Sequence, residues 1–209
     1  FFVVYFWHMK QLLLICAVVA LVGCGTTSNI IPNNYGAKVA IEGAIRKAAG
    51  KPKGELRRED LEKITKLNID GQQISDISML KDLKQVQVLN LDRNRIRDLS
   101  PLKDLKQLWS LVAGINQIRD VSALKGMRKL RELKLHGNQI RDLTPLKDLT
   151  LLENLWIENN NVSDLSPLYN LKNLRGLYIQ NNPDLTKAEI EKLRKALPGL
   201  ITVINTATK

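Results

Sequence analysis

From Ile64 onward, apolar residues return on a fixed beat of 22. Counted from their first apolar position, the units begin at Ile64, Val86, Leu108, Leu130, Leu152 and Leu174. The fourth position is leucine throughout (Leu67, Leu89, Leu111, Leu133, Leu155, Leu177), and the sixth is Ile69, Leu91, Ala113, Leu135, Ile157 and Ile179. Alternation with a period of two predicts a short strand with these residues turned inward. The eleventh position is Ile74, Ile96, Ile118, Ile140 and Val162, and the pattern breaks at Asp184. A unit of this length buries its apolar face only against its neighbours, so the beat predicts a solenoid of stacked parallel strands.

Two polar features keep the same beat. Asn94, Asn116, Asn138, Asn160 and Asn182 stand 22 residues apart, with Gln72 one period upstream. An amide turned inward can bond the backbone groups that a tight coil leaves unpaired, so these asparagines are expected to form a structural ladder. After each asparagine comes Ile-x-Asp-Leu-Ser-Pro-Leu or a variant, with Pro101, Pro145 and Pro167 sharing a slot with Met79 and Ala123. Such a step predicts one short 3₁₀ or α turn per unit.

The flanks change character. Val39, Ile41, Ala44, Ile45, Ala48 and Ala49 recur at helical spacing within Lys38 to Ala49, and Gly50 follows where a helix end favours a left-handed residue. Arg58 to Ile64 predicts a second helical turn feeding the first unit. At the other end Thr186 and Glu189 have capping-box spacing, Ile190, Leu193 and Leu197 continue an amphipathic helix, and Leu200 to Ile204 can add a closing strand before a frayed tail, Asn205 to Lys209. Polar helical caps are what an array with two apolar ends requires.

The motif Leu-x-x-Leu-x-Leu-x-x-Asn-x-Ile-x-Asp-Leu-x-x-Leu resembles the leucine-rich repeat in the 22-residue form of internalin-like bacterial surface proteins. The resemblance covers Ile64 to about Asp184. It departs at Gln72, at Ala113 and in the broken sixth unit. It implies an α/β fold: a leucine-rich repeat solenoid with a short parallel β-sheet on its concave face, 3₁₀ turns on the convex side and helical N- and C-terminal caps. It also implies binding without chemistry.

The N-terminus is expected to be a targeting segment. Met9-Lys10 supplies a start and a positive charge, with Phe1 to His8 as translated sequence upstream of it, and Gln11 to Val22 is an apolar run of about 12 residues. A membrane span needs roughly 20. Leu21-Val22-Gly23-Cys24 then resembles a bacterial lipobox, which implies that Cys24 is acylated and becomes the mature N-terminus. The alternative is an uncleaved anchor that also uses Phe1 to Phe6, with His8 and Lys10 inside the span. Two or more acyl chains hold a protein on a membrane stably. Gly25 is not the aspartate that retains lipoproteins on the inner membrane, so the expected address is the bacterial cell envelope, and the outer membrane if the source is Gram-negative. The expected organisation is a leader at 1–23, acylated Cys24 and a tether at 24–36, an N-terminal cap at 37–63, six repeats at 64–185, and a C-terminal cap and tail at 186–209.

Charge alters this picture little. The formal net charge is +11 and the pI about 9.7, so an anionic partner has to be weighed. Yet Arg97, Arg119 and Arg141 each precede an aspartate (Asp98, Asp120, Asp142), and Lys81, Lys103 and Lys147 precede Asp82, Asp104 and Asp148. Mixed signs at repeat spacing predict solvated surface with weak ion pairs, and an exported protein is not expected to bind nucleic acid. His136 is the only histidine after Cys24, and no metal-ligand spacing or phosphate loop occurs. No catalytic residue, metal, cofactor or small-molecule substrate is expected.

The informative positions lie between the inward leucines. By register the outward strand residues include Asn90 and Asp92, Val112, Lys134 and His136, Trp156 and Glu158, and Tyr178 and Gln180. Two large aromatics on adjacent strands have no core to fill, and exposed aromatics of this kind concentrate at contact hot spots. Trp156 and Tyr178, with Lys134, His136 and Glu158 beside them, are therefore the best candidate patch for a protein partner. The competing reading has the two rings simply packing on one another and on the C-terminal cap. A different class of function, a structural envelope lipoprotein contacting anionic lipid or polysaccharide through its basic surface, is the alternative.

Overall fold

The computed structural model describes residues 33–204. The expected leader, Cys24, most of the tether and the tail from Asn205 lie outside the described residues. Each of the first five units closes one turn of chain: a three-residue strand, an irregular bend, a 3₁₀ turn and a return. The strands are β1 (Lys66–Asn68), β2 (Val88–Asn90), β3 (Ser110–Val112), β4 (Glu132–Lys134), β5 (Asn154–Trp156) and β6 (Gly176–Tyr178). The 3₁₀ turns are η1 (Ser78–Asp82), η2 (Ser100–Leu102), η3 (Ser122–Leu124), η4 (Thr144–Leu146) and η5 (Ser166–Leu168). A closing strand β7 (Thr202–Ile204) makes a seven-stranded, all-parallel sheet in sequence order. The register is exact to the repeat, Leu67 opposite Leu89, Leu89 opposite Leu111, and so on to Leu155 opposite Leu177. The expected leucine-rich repeat solenoid is what forms.

The leucines of the pattern are its core. The first, fourth, sixth and eleventh positions are all nearly inaccessible, as are Leu99, Leu102 and Leu105 and their equivalents in other units. Where the eleventh position fails at Asp184, Leu185 takes up burial one residue later, at 2% exposed.

The asparagines couple one turn to the next. Asn94 Nδ2 donates to the carbonyls of Ile69 (2.8 Å), Leu91 (3.0 Å) and Asp92 (3.0 Å), while its Oδ1 accepts from the Ile74 N–H at 2.9 Å. Asn116, Asn138, Asn160 and Asn182 repeat this, each accepting at 2.9 Å from Ile96, Ile118, Ile140 and Val162 of the preceding unit. Gln72 takes no such place: it is exposed, and its amide donates only to the Asp70 carbonyl at 3.1 Å. Among the described residues, helices and no repeat precede the first unit, so an inward amide there would lack the preceding turn that the other units bond.

The convex-side charges lie on exposed surface, as expected, with weak pairs such as Lys84–Asp104 at 3.7 Å. The aspartates of the Ile-x-Asp motif do not pair with the arginines beside them. Asp98 Oδ1 accepts from the Ser100 N–H at 2.7 Å and Asp142 Oδ1 from the Thr144 N–H at 2.7 Å, so each aspartate caps the 3₁₀ turn that follows. Hydrogen bonds from the Thr144 hydroxyl and N–H hold the Asp142 carboxyl below the usual carboxylate range. Arg97 and Arg119 instead donate from Nε to Gln117 and Gln139 of the next unit, both at 2.8 Å.

The caps differ in detail too. Helix α1 (Asn33–Ala48) begins inside the segment expected as tether, and packs against β1. It buries Ala37, Ile41 and Ile45, whereas Val39, expected on the apolar stripe, is 55% exposed. Gly50 ends it with φ +65°. Helix α2 (Arg58–Glu62) is the expected short turn. At the C-terminus, α3 (Lys187–Ala196) forms half a capping box: Thr186 Oγ1 accepts from the Glu189 N–H at 3.2 Å. The Glu189 carboxylate turns away and accepts from Tyr169 Oη at 2.8 Å, and burial together with this carboxylate pushes the phenol up to about 12.

Two substitutions separate core from ladder. Leu133→Ala is expected to cost about 2 to 5 kcal/mol as a buried cavity. Asn138→Ala leaves backbone groups on two units unpaired and is expected to cost about 3 kcal/mol, against less than about 0.5 kcal/mol for Gln72→Ala. Urea unfolding of the three variants checks both; an Asn138→Ala midpoint equal to that of Gln72→Ala refutes the coupling role.

Candidate functional site

Alternation along each strand leaves one sheet face without a core. Asn90, Asp92, Val112, Lys134, His136, Trp156, Glu158, Tyr178 and Gln180 are all half-buried on that face. Register aligns Asn90, Val112, Lys134, Trp156 and Tyr178 in a single row across β2 to β6. A parallel row lies two residues further along each unit: Asp92, Gly114, His136, Glu158 and Gln180.

In the first row three side chains stack. The Trp156 and Tyr178 rings are nearly parallel, 4° apart, with centroids separated by 5.0 Å. Since carbon contact distances are about 3.5 to 4.0 Å, the rings are offset, the arrangement their quadrupoles favour. Lys134 Nζ sits 4.6 Å from the centroid of the Trp156 ring. Such a cation–π contact is worth about 0.5 to 1 kcal/mol at an exposed site. Glu132 fixes the ammonium from below, 3.1 Å from Oε1, and its Oε2 accepts from Ser110 Oγ at 2.9 Å. So the rings do pack on one another, as the competing reading holds, and the indole also carries a lysine. Together the three side chains form an ordered ledge across β4 to β6. Glu132 and Ser110 set its order, and the outward register was the only sequence signal for them. Trp109 stands apart, 40% exposed beside Leu151 (39%).

The second row is built around a glycine. The His136 imidazole lies over Gly114, where a Cβ would collide with it. Across that gap His136 Nε2 is 3.9 Å from Asp92 Oδ1, too far for a hydrogen bond. Asp92 Oδ1, Glu158 Oε2 and Gln180 Oε1 are shielded from solvent and receive no hydrogen bond from any described residue. Asp70, one unit upstream of Asp92, is by contrast satisfied: Arg93 Nε donates to it at 3.0 Å and holds its carboxyl below the usual range. Among the described residues no group of three or more His, Cys, Asp and Glu side chains is placed to hold a metal ion.

With this geometry in view, the chain is similar to three bacterial proteins of known structure. An internalin (inlF) of Listeria monocytogenes superposes with a TM-score of 0.70 at 30% identity, over 85% of this chain and 60% of that one. Internalin C2 of the same species gives 0.61 at 24% identity, over 88% of this chain and 100% of the other. A leucine-rich repeat protein of Leptospira interrogans gives 0.55 at 22% identity, over 69% of this chain and 50% of that one. The fold is the leucine-rich repeat solenoid of these bacterial proteins. The latter two speak to fold alone, and the chain spans 60% of the length of the first. No protein-family model matches the chain, and no curated protein matches it.

One backbone feature borders the face. The eighth position of every unit is left-handed: Gly71, Arg93, Ile115, Gly137, Asn159 and Asn181 have φ between +48° and +68°. Glycine and asparagine suit that conformation, but a β-branched residue there is an outlier. Ile115 adopts φ +48° and is 51% exposed. Replacing it by the asparagine that serves at positions 159 and 181 is expected to raise stability by about 1 kcal/mol. Urea unfolding of Ile115→Asn measures this; a loss of stability would mean that the isoleucine side chain makes contacts that outweigh its backbone strain.

Proposed function

We propose that this is a lipid-anchored, extracytoplasmic leucine-rich repeat protein that binds another protein through the concave sheet face. The observation that carries the reading is the Lys134–Trp156–Tyr178 stack. Large aromatics held rigid on a face with no core contribute contact area at little entropic cost. The leucine-rich repeat fold favours protein partners, and the likeness to an internalin at 30% identity supports binding over chemistry. The rival reading, a basic surface on anionic lipid or polysaccharide, has less behind it, since Arg97 and Arg119 are engaged by glutamines of neighbouring units.

The test uses the full-length chain in detergent to capture partners from envelope and host extracts, read by mass spectrometry. The Trp156→Ala, Tyr178→Ala double variant is expected to lose the captured partner, while Arg119→Ala keeps it. Equal capture by the double variant with an unchanged melting curve would reject the face. Strong salt dependence that ignores Trp156 and Tyr178 would favour the rival.

Anchoring rests on Leu21-Val22-Gly23-Cys24 at the end of a short apolar run. Cys24→Ala is expected to leave the protein unacylated and uncleaved, read by metabolic labelling with a fatty acid and by mass. Processing that continues normally refutes the lipobox.

A further inference from the structure

The face that carries the aromatic ledge has a charge opposite to that of the protein. The outward positions of the six units hold two cations, Lys66 and Lys134, against four carboxylates, Asp70, Asp92, Glu132 and Glu158, on a chain of formal net charge +11. Lys134 is engaged by Glu132 and Trp156, and Asp70 by Arg93. That leaves Glu158 and Asp92, the latter approached by His136 Nε2 only to 3.9 Å, as the two carboxylates whose shielded oxygens no described residue bonds. An ionised carboxylate only accepts, so the group that completes each must be a donor, and a cationic donor fits best.

The two sites are not equivalent. Glu158 Oε2 has a second unbonded acceptor, Gln180 Oε1, at the same position of the adjacent unit. Neighbouring acceptors suit a guanidinium, which presents five donors in one plane and is less tightly hydrated than an ammonium. Trp156, two residues before Glu158, faces the same side of the sheet. Asp92 lies three units away from Glu158, about 14 Å along the row. An extended peptide rises about 3.3 Å per residue and returns its side chains to one side every second residue. Residues i and i+4 therefore span about 13 Å and point the same way.

We propose that the face receives an extended basic segment of a protein partner lying across the strands, with an arginine at i in the Glu158–Gln180 notch and a basic residue at i+4 on Asp92. This rests on the reading of the concave face as a protein-binding surface, and it adds the chemistry of the bound segment.

The test is fluorescence anisotropy of the full-length chain in detergent with three labelled nonapeptides of Gly and Ser: one with Arg at positions 3 and 7, one with two adjacent Arg, one with Glu at 3 and 7. The first is expected to bind about ten-fold more tightly than the second, and the third not at all. Glu158→Gln, which preserves shape, is expected to weaken the first peptide about ten-fold, and Gln180→Glu, which adds a carboxylate to the notch, to tighten it about ten-fold. Unchanged melting curves ascribe these shifts to the site. Equal affinity for the first two peptides, or indifference to both variants, overturns the proposal. Loss of a captured partner in the Trp156→Ala, Tyr178→Ala variant alongside such indifference leaves the binding face standing and removes only the basic segment. Self-association of the chain abolished by Glu158→Gln would assign the notch to a second copy instead, and binding of anionic vesicles that needs Glu158 would contradict it outright.

Discussion

Everything in this fold depends on satisfying backbone polar groups in a coil that is mostly not strand. Each unit has three residues in the sheet, and the rest of its chain must turn inside a stack where water does not reach. In every unit after the first, one asparagine meets the need. Asn116 donates to the carbonyls of Leu91, Ala113 and Gly114 and accepts from the N–H of Ile96, so a single side chain serves its own turn and the one before it. Buried unpaired groups cost about 1 to 3 kcal/mol each, so the ladder is a condition for stacking as much as an embellishment of it.

That condition also sets where freedom lies. Leucines fill the interior, asparagines fix the bend, and aspartates such as Asp98 and Asp142 cap the convex turns. On the sheet, the outward strand positions are released from all three duties. There the chain spends its variety: a lysine, a tryptophan and a tyrosine in one row, and a histidine resting on a glycine in the next. The exposed, left-handed Ile115 borders the same region, where every other unit has a glycine, an arginine or an asparagine. Strain tolerated beside a surface, and not within the core, is consistent with a contact role for that surface.

The electrostatics of the face differ from those of the whole chain. A formal charge of +11 invites thoughts of anionic partners, yet the outward strand positions are acidic on balance. Net charge governs solubility and long-range encounter, whereas recognition depends on the few groups that a partner covers. Convex and concave surfaces can therefore favour different partners on one small protein.

The repeat period was enough to read the strands, their inward leucines, the asparagine ladder and the 3₁₀ turns, because each is a local consequence of a side chain recurring at fixed spacing. It was also enough to name the outward residues, since register follows once the inward ones are known. What it could not read was which of these touch. That Trp156 lies between Lys134 and Tyr178, that Glu132 steadies the lysine, and that Asp92 and Glu158 are left without donors all depend on distances across strands, between residues 22 or more apart in sequence. The same limit applies to the charges: neighbours in sequence on a tight turn face different ways, so Asp98 accepts from the Ser100 N–H while Arg97 donates to Gln117 of the next unit. Spacing alone determined the scaffold; the contacts that give its face a chemistry were decided only when the units stacked.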